Sequence, residues 1–73
     1  MGQAEGAVGL ARRAVSLEPG ASYHHCSHAR ALARVSRRDE ALQEAEKALA
    51  VAKNANERQR AEEVLAYIKR LEQ

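Results

Sequence analysis

Large aromatic side chains are almost missing from this chain. It has no Phe, no Trp and two Tyr in 73 residues, too few for an aromatic-rich core or a stacking platform for single-stranded nucleic acid. Cysteine is nearly absent as well. Cys26 stands alone, which excludes an internal disulfide and fits a reducing compartment. No apolar run approaches the roughly 18 residues that a membrane-crossing helix needs, so no membrane contact is expected. The start, Met1-Gly2-Gln3-Ala4-Glu5-Gly6, has neither a basic n-region nor an apolar h-region. Gly6 also stands where a myristoylation signal wants Ser or Thr. A cytoplasmic location is the resulting expectation.

What the sequence does have is alanine. Sixteen Ala accompany thirteen Val, Leu and Ile, a composition that favours helices in close approach over a voluminous core. At this length a core alone rarely supplies more than ~3–5 kcal/mol, so further support from a neighbouring unit is expected. Net charge is +2, too small to point to nucleic acid, but it is unevenly spread. Residues 1–38 carry six Arg and two Glu (+4), and residues 39–73 carry six bases and eight acids (−2).

The sequence also partly repeats itself after 34 residues. Ala7-Val8 is echoed by Ala41-Leu42, Ala11 by Ala45, Ala14-Val15 by Ala48-Leu49, Leu17 by Val51, and the acid Glu5 by Asp39. A fixed period in this range marks stacked units, each burying its apolar face only against a neighbour.

Four helices are expected and no strand, an all-α protein. Pro19-Gly20 is the one strong breaker pair and closes a first helix over 4–18, whose apolar residues recur at three- and four-residue steps. Ser22 is placed to cap a second helix over 22–35. Ser36-Arg37-Arg38-Asp39 has the Ser-x-x-acid form of a capping box, starting a third helix near 37–39 that runs to Ala52. Asn56-Glu57-Arg58-Gln59 offers the cap of a last helix over 57–72, striped by Ala61, Val64, Leu65, Ile68 and Leu71.

These spacings resemble a tetratricopeptide repeat, whose small-residue positions fall on Ala29, Ala41 and Ala48 and whose closing Pro falls on Pro19. His25-x2-His28-Ala29-x2-Leu32 and Ala41-x3-Ala45-x2-Ala48 make one full repeat over 22–52. The first helix matches the second half of a preceding unit. The last matches a first half, shifted by 36, and acts as a capping helix. Departures are His25 and His28 at apolar positions, Ala45 at an aromatic one and Lys53 in place of Pro. The resemblance implies a single domain over 1–73, built as antiparallel helix hairpins of an α-solenoid, with no catalysis and no cofactor.

It also implies a concave groove lined by Tyr23, Cys26, Ser27, Arg30, Ala33 and Arg34, and by Gln59, Glu62, Glu63, Ala66, Lys69 and Arg70. Arg30 and Arg34 are four apart, hence on one helical face, and a planar guanidinium suits a carboxylate. An acidic peptide, or the C-terminus of a partner protein, is the expected ligand, unless both Arg simply pair with Glu62 and Glu63. Relatives that grip a C-terminal carboxylate use a Lys/Asn/Arg clamp. Cys26, Ser27 and Arg30 do not reproduce it, which disfavours that mode.

Tyr23-His24-His25-Cys26-Ser27-His28 is the stretch with most chemical potential. His24 and His28 are four apart and are the weak candidates for a metal, with Cys26 on nearly the opposite side of the helix. Two ligands do not make a zinc site. Half-buried neutral histidines in the hairpin are the alternative, and they would destabilise the fold near pH 6. A Cys26-His25 catalytic pair is disfavoured because adjacent side chains on a helix diverge. Arg30, Arg34, Arg37 and Arg38 lack an aromatic platform, which ranks nucleic acid below peptide. The leading expectation is a protein-interaction module or scaffold. A self-associating fragment of a repeat array is the second, and a His-based metal or pH-responsive element the third.

Overall fold

A computed structural model describes residues 3–71 as four helices: α1 (Gln3–Leu17), α2 (Ser22–Arg34), α3 (Arg38–Ala50) and α4 (Ala55–Arg70). Among the described residues there is no strand, so the protein is all-α. Each expected helix is present, and the differences lie at the ends.

Ser22 does not cap α2. The cap position is Ala21, and Ser22 turns inward, donating from its hydroxyl to the Ala48 carbonyl at 2.9 Å. Nor does Ser36 open a capping box. Its φ is +65°, and it closes α2 instead. The Ser36 amide donates to Ala33 O and the Arg37 amide to Leu32 O, the paired return bonds of a left-handed helix terminus. A residue committed to that geometry cannot also cap α3, which begins at Arg38 behind Arg37 with no side-chain cap. α4 starts two residues before the expected position. Asn54, not Asn56, is its cap: Asn54 Oδ1 accepts from the Glu57 amide at 2.9 Å, while Glu57 Oε1 accepts from the Lys53 amide at 2.8 Å.

α2 is the centre of the fold and packs on α1, α3 and α4, while α3 also packs on α4. Ala29, Ala41, Ala45, Ala48 and Ala61 are fully enclosed, the contact surface that lets the backbones approach. Leu32 and Ile68 are the largest side chains fully inside. The Cα envelope measures 37 × 32 × 15 Å, a slab too thin to enclose much more. Among the described side chains of α1, Val8 alone is buried; Leu10 is 73% and Leu17 75% exposed. No helix among the described residues is long and apolar enough to cross a membrane.

Candidate functional site

The helical period divides α2 into two working faces. Ser22, His25, Cys26, His28, Ala29 and Leu32 are buried, whereas Arg30 and Arg34 stand exposed with Ser27 half-buried. The more open face borders a cleft of about 700 Å³ shared by three helices. α2 contributes Ser27, Arg30, Ala31 and Arg34, α4 contributes Glu63, Val64 and Tyr67, and α1 contributes Ala7 and Ala11.

Among the described residues neither Arg30 nor Arg34 is ion-paired to a carboxylate. The expected structural alternative, pairing across to Glu62 and Glu63, is therefore not what the side chains do. Glu63 instead accepts a hydrogen bond from Gln59 Nε2 at 3.3 Å, along its own helix.

The cleft gathers part of the set implied by the resemblance: Ser27, Arg30, Arg34 and Glu63. Cys26 is 3% exposed and does not line it. Its position in the helix turns the thiol inward, and burial raises its pKa, only partly offset by the Ser22 hydrogen bond and the charges of Arg60 and Arg30. A buried thiol held protonated is a poor nucleophile. Tyr23 is exposed but borders a different, smaller hollow with Asn54, Asn56, Glu57 and Arg60. Ala33 packs against the core. Glu62, Ala66, Lys69 and Arg70 are exposed on α4, outside the cleft's lining. Sequence reasoning omitted Tyr67 as well as the apolar lining residues Ala7, Ala11, Ala31 and Val64; of these, Tyr67 was the one within reach. It lies four residues after Glu63, so the same helical face would have included it.

The histidines part company. His24 Nε2 lies 2.8 Å from Glu18 Oε1, whereas His28 Nδ1 lies 3.2 Å from Glu44 Oε1, so the two rings serve different elements. Among the described residues no three His, Cys, Asp or Glu side chains are placed to hold a metal.

His25 and His28 instead converge on Glu44 of α3, itself buried. His25 Nδ1 is 2.9 Å from Glu44 Oε1 and Nε2 is 2.7 Å from Pro19 O. Ionised carboxylate and carbonyl both accept, so with Glu44 charged the ring donates to both only when it carries two protons. Both rings are buried rather than half-buried, and their surroundings include the Glu44 carboxylate rather than apolar groups alone. His28 contacts Glu44 without hydrogen-bond alignment at either ring nitrogen. Lys47 Nζ adds a third contact at 3.3 Å. Burial alone would raise the Glu44 pKa, but the His25 and Lys47 hydrogen bonds and the charges of His28 and Lys47 outweigh it and hold the carboxyl below its ordinary range. The cluster ties α2 to α3 and to the Pro19 turn. It does not open onto the cleft, and so reads as structural.

No protein-family model, curated protein or solved structure matches this protein.

Proposed function

We propose that this protein is a non-catalytic interaction module of tetratricopeptide type that receives an acidic peptide in the cleft between α1, α2 and α4. The observation that carries the reading is the pair Arg30 and Arg34, exposed, one turn apart and unpaired by carboxylate, at the wall of a cleft with a small apolar floor of Ala7, Ala11, Ala31 and Val64. Two guanidiniums on one ridge offer parallel N–H forks to successive carboxylates. Tyr67, across the cleft, offers an amphipathic ring for an apolar side chain of the same peptide. The inward, protonated Cys26 argues against thiol chemistry. The cytoplasm, with its free acidic peptide segments, is the setting this reading suits.

The test is fluorescence anisotropy with a set of labelled peptides, acidic and apolar residues alternating, against neutral versions. Acidic peptides are expected to bind, with affinity falling as salt rises. Arg30→Glu/Arg34→Glu is expected to lose at least about tenfold, or about 1.4 kcal/mol. Equal binding by the double variant, or no preference for acidic peptides, overturns the reading. A second reading, assembly with copies of itself, is favoured by the exposure of Leu10 and Leu17 on α1.

A further inference from the structure

The cleft holds charges of both signs, and its walls do not neutralise each other. Arg30 and Arg34 stand on the α2 wall and Glu63 on the α4 wall, all three exposed. Among the described residues no ion pair joins them, and Glu63 is not paired with Arg60 either, one turn earlier on its own helix. The hydrogen bond that Glu63 accepts from Gln59 Nε2 is 3.3 Å long and comes from a neutral donor, so the carboxylate keeps its charge uncompensated. Between the walls lies the cleft itself, about 700 Å³ over a floor where Ala7, Ala11 and Ala31 reach no further than a methyl group.

Both walls carry their groups at the same interval. Arg30 and Arg34 are four residues apart on α2, and Glu63 and Tyr67 four apart on α4, a rise of about 6 Å along a helix. In an extended segment alternate side chains point opposite ways, and those on one side recur every 6–7 Å or so. A peptide laid between the walls therefore turns every second side chain to the two Arg and the intervening ones to Glu63 and Tyr67. Acids in the first set satisfy α2. In the second set a further acid would meet Glu63 as a like charge, whereas a base would meet its opposite, and an apolar side chain suits the Tyr67 ring.

We propose that Glu63 sets the specificity of this cleft: it selects acidic peptides that carry a basic side chain between two acids, and turns away those that are acidic throughout. The inference rests on the peptide reading above and refines it. Net charge alone would give the opposite order, because a wholly acidic peptide is drawn more strongly than a mixed one to a pair of Arg. A negative group on the facing wall reverses that order, and specificity of this kind needs such a repulsive element. The same carboxylate works against phosphate backbones, which are charged at every repeat and bring no base to meet it.

Fluorescence anisotropy at about 0.15 M salt, where long-range attraction is largely screened, compares labelled peptides made of a four-residue unit written twice: Glu-Lys-Glu-Val, Glu-Glu-Glu-Val and Glu-Glu-Lys-Val. Doubling the unit offers either chain direction. The first is expected to bind about threefold more tightly than the second, within the range of one exposed ion pair. The third has the composition and charge of the first but no two acids flanking a base, and is expected to bind more weakly. Glu63→Lys changes an exposed side chain between residues of similar helix propensity, and circular dichroism checks that helix content is kept. In that variant the order of the first two peptides should invert, and in Glu63→Gln the preference for the first should be lost. A wholly acidic peptide bound as tightly as the first, equal binding of the third, or an order unchanged by Glu63→Lys would each overturn the proposal while leaving the cleft a site for acidic peptides. Binding of none of the peptides would remove the cleft reading and the proposal with it.

Discussion

Glu44 carries three contacts, from His25, His28 and Lys47, while 8% exposed. Burial pushes its pKa up, but the hydrogen bonds and neighbouring positive charge win, so the carboxyl is more acidic folded than unfolded. The sign of the pH dependence follows. A lowered folded pKa contributes stability that is present above the unfolded value and is lost as pH falls through the folded value. The urea midpoint is therefore expected to decline as pH drops below the ordinary carboxylate value of 4.5, and Glu44→Gln should flatten that part of the profile. At neutral pH the same variant should be less stable than wild type, because a neutral amide gives up the charge-assisted hydrogen bonds that the carboxylate makes with His25 and Lys47. An unchanged acid slope in Glu44→Gln would remove Glu44 from its tying role. The sequence pointed to the histidines as the interesting residues, and they are. Their partner could not be read from it: Glu44 is one of nine Glu, and only the packing of α3 on α2 singles it out.

Helix existence was readable from the period of Ala, Val and Leu, but helix ends were not, and the reason lies in competing roles for the same residue types. Ser36 satisfies the Ser-x-x-acid signature, yet it sits one residue past the last turn of α2, where a left-handed residue can satisfy two terminal carbonyls. Asn54 and Asn56 both resemble caps, and only the distance to Glu57 separates them. The Ser36 assignment has a measurable consequence. A residue with a Cβ at φ +65° is strained by about 1 kcal/mol relative to glycine. Ser36→Gly should therefore raise stability by about 0.5–1 kcal/mol, the relief of strain exceeding the added freedom of the unfolded state. Chemical denaturation reads it directly. A Ser36→Gly variant less stable than wild type would mean that the Ser side chain, not the turn, is what matters there.

For the molecule as a whole, a slab 15 Å thick built on alanine has few places to store stability. The repeat in the sequence anticipated the small residues at the contacts, and Ala29, Ala41 and Ala48 are all enclosed. It did not anticipate that so much would hang on two side chains. Leu32 and Ile68 are the largest fully buried groups, one on the central helix and one on the last. Removing a buried isoleucine down to Ala typically costs about 2–5 kcal/mol through lost burial and an uncollapsed cavity. A protein of this size holds only ~3–5 kcal/mol in total, so Ile68→Ala should leave a large unfolded population at room temperature, seen as lost helical circular dichroism and a urea transition without a native baseline. Leu10→Ala removes a side chain of similar volume from a site that is 73% exposed. In dilute, single-copy solution it should shift stability by less than about 0.5 kcal/mol. The contrast separates two settings for the same kind of residue, because Ile68 is enclosed in the core whereas Leu10 stands at the surface. If Leu10→Ala instead cost as much as Ile68→Ala under those conditions, α1 would be packed more fully than its exposure describes, and its open stripe would be part of the core.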